Sequence, residues 1–155
     1  MKMLIAVDAD GGDYAPREIV KGAAEAAEEY KLDIALVGRK TVLDMLVRRY
    51  GKNQKMAIIE TSQTIDCSEN PLQAIRTKPD SSIVVGTQLV KNNEVSAFVS
   101  AGNTGAMLTA AYLNLERVKG IKRPALCGII HITGKPVFLI DVGANVDCKP
   151  DFLLQ

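Results

Sequence analysis

Short aliphatic and β-branched runs alternate along the chain with longer stretches whose apolar positions recur every three or four residues. Residues 4–7 read as a first strand, and residues 17–30 as a helix with Ile19, Val20, Ala23, Ala24, Ala27 and Tyr30 on one face. Residues 34–37 form a second strand ended by Gly38. Residues 41–50 form a second helix with Val42, Leu43, Leu46, Val47 and Tyr50 inward, and Gly51 is placed to cap its C-terminus. A third strand covers residues 56–60. The polar stretch 61–81 is less regular, with a short helix starting at Pro71, where proline suits the first turn. Residues 82–92 read as a helix, 97–100 as a buried strand, and 105–115 as the helix after it. Residues 125–132 and 137–141 are two further strands, joined by the turn Thr133-Gly134-Lys135-Pro136. This alternation predicts stacked βαβ units, an α/β fold whose sheet is mostly parallel and is made mixed by the last hairpin.

The stretch 142–155 departs from that pattern. Asp151 reads as an N-cap, and Phe152-Leu153-Leu154 opens an apolar helical pattern that stops at once. An apolar first turn with nothing to cover it points to a longer protein. Residues 1–155 are therefore expected to be one α/β domain, the N-terminal part of a longer chain, or one completed by a partner.

Composition narrows the class. The 155 residues are 47% hydrophobic and 24% charged, with a formal net charge of +1, the balance of a folded globular domain. Lys and Arg are interleaved with Asp and Glu, so no basic stripe suggests a nucleic-acid partner. Asp8 interrupts the first apolar run too early for a signal peptide, and no run approaches the ~20 residues of a membrane span. The expected location is the cytoplasm. Cys67, Cys127 and Cys148 show no C-x-x-C spacing and His131 has no nearby ligand partner, so no metal site is expected there. The thiols are read as reduced residues of core or loop, and His131 as a structural strand residue.

Three glycine-bearing turns follow strands, at the end where open α/β sheets bind ligands. They are Asp8-Ala9-Asp10-Gly11-Gly12-Asp13, Ser100-Ala101-Gly102-Asn103-Thr104-Gly105 and Asp141-Val142-Gly143-Ala144-Asn145-Val146-Asp147. The second has the makings of a phosphate site. Its glycines and Asn103 tolerate positive φ, so backbone N–H groups can converge. The following helix adds unpaired N–H groups and the positive end of its dipole, and Ser100 and Thr104 add hydroxyls. The alternative is a plain strand-to-helix turn capped by Asn and Thr. In the first turn, Asp8, Asp10 and Asp13 would repel phosphate; they fit either a Mg²⁺ site or helix capping by Asp13 or Glu18, and no metal is assigned. In the third turn, Asp141, Asn145 and Asp147 are candidates for orienting or base groups. Arg76, Lys78, Lys91, Arg123 and Lys149 could complete an anion pocket, with Arg76 and Lys149 favoured because they flank glycine- or serine-rich turns.

Taken together, Asp8 to Pro16, Arg76-Thr77-Lys78-Pro79-Asp80-Ser81-Ser82, the Ser100 turn, Gly120-Ile121-Lys122-Arg123-Pro124-Ala125-Leu126, and Asp141 to Pro150 occur in an order that resembles the phosphate acyltransferase (PlsX) family of bacterial phospholipid synthesis. Any one of the five is weak; five in order over nearly the whole chain are specific. The first turn of that family usually reads Asp-Ala-Met-Gly-Gly-Asp-His-Ala-Pro. Here Asp10 stands for the methionine and Tyr14 for the histidine, so a role carried by that histidine is absent.

The resemblance implies a three-layer α/β/α fold like that of the isocitrate and isopropylmalate dehydrogenases, a homodimer, and peripheral membrane association of the full-length protein. It implies transfer of a fatty acyl group from acyl carrier protein to inorganic phosphate. No cofactor is needed beyond the phosphopantetheine arm that arrives with the carrier. On this reading Ser100, Gly102, Asn103, Thr104 and Gly105 cradle phosphate, Arg76 or Lys149 neutralises charge, and Asp141, Gly143, Asn145, Asp8, Gly11 and Gly12 shape the reacting centre. Two other functions remain open: a short-chain phosphate acyltransferase acting on acyl-CoA, and a non-catalytic domain that binds phosphate or carrier protein. A dinucleotide dehydrogenase is disfavoured, because no G-x-G-x-x-G follows the first strand.

Overall fold

Strands β1 (Leu4–Asp8), β2 (Asp33–Gly38), β3 (Ala57–Glu60) and β4 (Ala97–Val99) form a parallel sheet in the order β3-β2-β1-β4. The sheet is seen in a computed structural model that describes residues 3–51, 56–145 and 147–154, so Val146 of the third glycine turn lies outside the described residues. The chain divides into two units, Met1–Leu115 and Glu116–Gln155.

In the first unit, α1 (Arg17–Tyr30) and α2 (Lys40–Tyr50) cover one face of the sheet. Val20, Ala23, Ala24, Ala27 and Leu43 pack there on Ile34 and Leu36, the side chains of alternate β2 positions. Val37, the residue after Leu36, points to the other face, where Leu89 of α4 (Ser82–Lys91) packs with Ala6 and Val95. Helices on both faces of a parallel sheet make the three-layer α/β/α arrangement. Gly86 lets α4 approach β4 closely, because a Cβ there would run into the Phe98 ring. A third cluster joins α3 (Pro71–Thr77), α4 and α5 (Thr104–Asn114) through Ala74, Ile75, Ile83, Val84, Ala106 and Ala110. Complete burial of an aliphatic side chain such as Leu36 or Leu43 stabilises the fold by about 1.5–3 kcal/mol.

Helix ends follow local chemistry with corrections at α1, α2 and the last helix. Pro71 sits in the first turn of α3 as expected, and the Asn70 side chain accepts from the Gln73 amide at 3.1 Å. Gly51 caps α2, but in a right-handed conformation; glycine is needed because a Cβ would press on the Val47 carbonyl oxygen at 2.6 Å. Asp13 and Glu18 do not cap α1. Its N-cap is Pro16, which makes no side-chain cap bond, and Glu18 lies beside Arg17 at 3.5 Å. The polar 61–81 stretch is ordered by Asp80, which accepts from the Ser62 amide and hydroxyl at 2.7 and 2.5 Å.

The second unit holds β5 (Cys127–Ile132), β6 (Lys135–Ile140) and α6 (Pro150–Leu153). The hairpin expected to make the main sheet mixed forms an antiparallel two-stranded sheet of its own. Its turn is shorter than expected, Thr133-Gly134, with φ of 49° and 80°, the positive values a two-residue hairpin turn requires. Asp151 is not the N-cap of α6. Lys149 holds that position with Pro150 in the first turn, and Asp151 pairs with Lys122 at 3.3 Å. His131 is exposed on β5, and Cys67, Cys127 and Cys148 are all exposed free thiols, so none belongs to the core. No described helix is long and apolar enough to cross a membrane.

Candidate functional site

Two of the three glycine turns meet where the winding of the sheet reverses. The chain runs outward from β1 through β2 to β3, then returns to place β4 on the other side of β1. The crevice at the carboxyl ends of β1 and β4 is therefore the topological switch point, where open α/β sheets hold their ligands.

Asp8 at the end of β1 is fully buried and accepts the Ser100 hydroxyl at 2.6 Å and the Asp10 amide at 3.1 Å. The Ser100 oxygen in turn accepts from the Gly102 amide at 3.0 Å. Gly11 and Gly102 let the two turns touch. A Cβ on Gly11 would collide with the Asp8 carboxylate and lie 3.1 Å from the Gly102 Cα, and one on Gly102 would lie 3.2 Å from the Gly11 Cα. Gly12 is needed for another reason, a φ of 111° that side-chain-bearing residues rarely adopt. The hydroxyl proton of Ser100, expected for a ligand, is thus committed to Asp8.

Asn103 is buried and caps α5, its Oδ1 accepting from the Ala106 amide at 2.9 Å. Its Nδ2 donates to the carbonyls of Asp66, Cys67 and Glu69 at 3.1, 3.3 and 3.1 Å, tying the 66–69 loop to the helix. The expectation of positive φ in this turn is corrected: Asn103 has φ of −61°, and neither Gly102 nor Gly105 is among the positive-φ glycines. Gly105 is required instead by packing, since a Cβ would lie 2.6 Å from Pro71. Thr104 is exposed at the first helical position. The Thr104 and Gly105 amides occupy helix positions that have no intrahelical partner.

Asp10 was not legible in the sequence as a buried group. Its side chain is 1% exposed, and its Oδ2 accepts from the Arg39 amide at 3.3 Å with the Arg39 Nε at 3.7 Å. Its Oδ1 is buried without a hydrogen-bond partner. Burial pushes the Asp10 carboxyl above its ordinary value, against the pull of Arg39. Asp10, Gly12 and Asp13 line a cleft of about 310 Å³ with residues 64–67. Among the described residues, no three His, Cys, Asp or Glu side chains come together as metal ligands.

Of the basic candidates, Arg76 is exposed in the last turn of α3. Lys78 is engaged: its Nζ donates to the Glu69 carboxylate at 2.6 Å and the Thr64 carbonyl at 2.8 Å. That bond holds Glu69 below the usual carboxylate range. The bonds of Lys78 and Asn103 to the 64–69 loop carry no local sequence signal; a lysine and an asparagine reach those carbonyls only through the tertiary fold.

The third turn belongs to the second unit and is organised by Asp141. Its Oδ1 accepts from the Leu126 and Ala144 amides at 2.9 and 3.0 Å, and its Oδ2 from the Asn145 amide and side chain at 2.7 and 2.9 Å. Donors on both oxygens hold this carboxyl far below its ordinary value, with the Ala144 amide foremost. A carboxylate so stabilised is a weak base, which favours the orienting role over the base role. Asn145 also donates to the Pro124 carbonyl at 3.1 Å, Gly143 has φ of 122°, and Lys149 and Asp147 are exposed. Arg123 stacks over the Phe152 ring at 5.8 Å.

A parallel sheet wound both ways from β1, with helices on both faces and paired turns at its switch point, defines a doubly wound α/β domain with a ligand crevice between β1 and β4. The chain belongs to the family described as Fatty acid synthesis protein, whose model it matches over residues 3–155. It is 49% identical over 155 residues to the phosphate acyltransferase of Dehalococcoides mccartyi, covering 97% of this chain and 44% of the relative. It is 51% identical over 153 residues to that of Pelotomaculum thermopropionicum (99% and 45%), and 48% over 154 to that of Thermoanaerobacterium thermosaccharolyticum (99% and 45%). The chain thus spans less than half the length of the curated relatives it matches.

Proposed function

We propose that this chain carries the phosphate-binding part of an enzyme that transfers an acyl group from a thioester to inorganic phosphate. Membership of a family whose relatives are named phosphate acyltransferase supports this reading, together with one geometric observation. The N-terminus of α5 stands at the switch-point crevice, in a turn held rigid by Asp8, Ser100 and Asn103.

Phosphate needs no activated serine or cysteine, because its own oxygen is the nucleophile. That oxygen bonds to the thioester carbonyl carbon, the C–S bond breaks, and the thiol leaves with the proton that phosphate gives up. The protein's contribution is to position the two reactants and to stabilise the developing oxyanion. In this proposal the Thr104 and Gly105 amides, the Thr104 hydroxyl and the exposed Arg76 guanidinium contact phosphate. Asp8, Gly11, Gly12, Ser100, Gly102 and Asn103 hold the turn in shape. In the second unit, Asp141, Gly143 and Asn145 fix the loop from which Lys149 follows. The acyl donor is acyl carrier protein with its phosphopantetheine arm, and the product acyl phosphate feeds phospholipid synthesis. The full-length protein is a cytoplasmic homodimer with peripheral membrane association.

The test is thiol release from acyl carrier protein and from acyl-CoA, each with and without phosphate. Phosphate-dependent release that is faster from carrier protein is expected. Faster release from acyl-CoA would reassign the donor, and phosphate binding without any thiol release would make this a binding domain.

A further inference from the structure

Lys78 follows α3 and donates its backbone N–H to the Ala74 carbonyl at 2.9 Å, so that helix sets its position. Helix α3 is in turn packed on α5 through Ala74, Ile75 and Ala106, with Pro71 against Gly105. From this base the Lys78 ammonium reaches both ends of the 64–69 loop, the Thr64 carbonyl at 2.8 Å and the Glu69 carboxylate at 2.6 Å. The Glu69 oxygen that takes this bond also accepts from the Asp66 amide at 2.6 Å. Asn103 holds the middle of the loop less firmly. Its side-chain nitrogen has two hydrogens for three carbonyls, those of Asp66, Cys67 and Glu69, so at least one hydrogen is shared. The Lys78 bond to Glu69 joins two partly buried opposite charges, and such charge-assisted bonds are the stronger kind.

The loop matters because of what it lines. Residues 64–67 form one wall of the 310 Å³ cleft, and Asp10, Gly12 and Asp13 form the other. Both walls join the Ser100–Gly105 turn. Gly11 approaches Gly102 and Gly12 approaches Ala101, while the carbonyls of Asp66, Cys67 and Glu69 bond to Asn103. The cleft is therefore framed beside the α5 N-terminus, the end assigned to phosphate. Its walls bring Asp10, Asp13 and Asp66 together with no basic side chain among the described lining residues. Like charges disfavour a second anion there, which suits an uncharged reactant such as a thioester. We propose that Lys78 is a positioning residue for acyl transfer, fixing the 64–67 wall so that a thioester in the cleft meets phosphate at α5, without itself touching phosphate; this rests on the acyl-transfer reading. Displacing a reactant by about 1 Å can cost roughly a hundred-fold in rate, so a loop bond remote from the reacting atoms can control turnover.

The test compares the parent with Lys78→Met, Lys78→Arg and Glu69→Gln in phosphate-dependent thiol release from acyl carrier protein. Lys78→Met should lower kcat/KM for the acyl donor by at least about ten-fold, while phosphate affinity by calorimetry stays at the parent value. Lys78→Arg keeps a cation that can bond both acceptors, and should recover most of the loss. Glu69→Gln keeps an acceptor oxygen but loses the ion pair, and should fall between the parent and Lys78→Met. It decides the matter if Lys78→Met does not fold. The cause is read at the Asp66 amide, whose hydrogen exchange should quicken in Lys78→Met by at least about ten-fold. Weakened phosphate affinity in Lys78→Met would make Lys78 a phosphate ligand and overturn the proposal. Unchanged transfer, an Asp66 amide no faster than in the parent, or equal losses in the Met and Arg variants would also overturn it. A parent that releases no thiol overturns the acyl-transfer reading itself and this proposal with it, an outcome seen before any variant is compared.

Discussion

The Ser100 hydroxyl donates to the buried Asp8 carboxylate at 2.6 Å, joining the turns after β4 and β1 across 92 residues of sequence. Ser100→Ala removes the side-chain donor from a buried carboxylate and should cost about 1.5–3 kcal/mol of stability, the range for a hydrogen bond to a charged group. Urea unfolding of the two proteins measures it. A change within about 0.5 kcal/mol, the scale of an ordinary surface substitution, would mean the bond does not hold the turns together.

Two glycines should answer alanine in opposite directions. At Gly11 a Cβ meets the Asp8 carboxylate and the facing turn, so Gly11→Ala should destabilise by about 1–3 kcal/mol through overpacking. At Gly22, inside α1, nothing lies within 4 Å of the added Cβ, and Gly22→Ala should stabilise by roughly 0.5–1 kcal/mol. Thermal midpoints moving the same way for both would contradict the packing described.

Asn103 and Thr104 separate structure from binding. Asn103→Ala loses the α5 cap and leaves three loop carbonyls without their donor, so it should cost about 2–4 kcal/mol. Thr104 is exposed, and Thr104→Ala should leave the unfolding midpoint within about 0.5 kcal/mol. Under the proposed function it should nevertheless raise the apparent phosphate dissociation constant several-fold. Phosphate titration by calorimetry reads the second effect, and unchanged affinity would remove the α5 N-terminus from the site.

Asp10 and Asp141 should give opposite pH signatures. Burial holds the folded Asp10 carboxyl above its ordinary 3.8, so the folded state binds that proton more tightly than the unfolded chain does. Its contribution favours folding below 3.8 and is lost as pH rises through the folded value. The stability of Asp10→Asn relative to the parent should therefore improve as pH rises above the ordinary 3.8 and level off once the folded value is passed, and a difference constant throughout would refute the buried titration.

The Asp141 carboxyl is held below its ordinary 3.8, so its contribution is present above that value and is lost only as pH falls through the lower folded one. Protection of the Ala144 and Asn145 amides from hydrogen exchange should persist as pH falls to about 3, within the ordinary carboxylate range. Asp141→Asn should lose that protection at neutral pH. Equal exchange in parent and variant would show that the carboxylate does not organise the loop.

Much of this was legible in the residues. The β1, α1 and β2 spans follow directly from periodicity, and Pro71 marked the start of α3. The five ordered motifs pointed to the family that the chain belongs to. Two features were misread for an identifiable reason. Asp151 has the chemistry of an N-cap, but Pro150 suits the first helical position better, which moves the cap to Lys149. Asn103 has the chemistry of a positive-φ residue, but its side chain gains four bonds by capping α5 in an extended conformation.

By itself the sequence determined the alternation of strands and helices, the three glycine turns, and the family, because periodicity and short motifs are local properties of the chain. Tertiary structure alone decided that Ser100 in the turn first read as an anion cradle spends its hydroxyl on Asp8. It also decided that Asp10 is buried, and that β5 and β6 pair with each other as a two-stranded antiparallel sheet. Those outcomes depend on the order β3-β2-β1-β4, which sets β4 beside β1 and brings their two turns into contact. Strand order is fixed by how whole faces are buried together, and no window of local sequence records it.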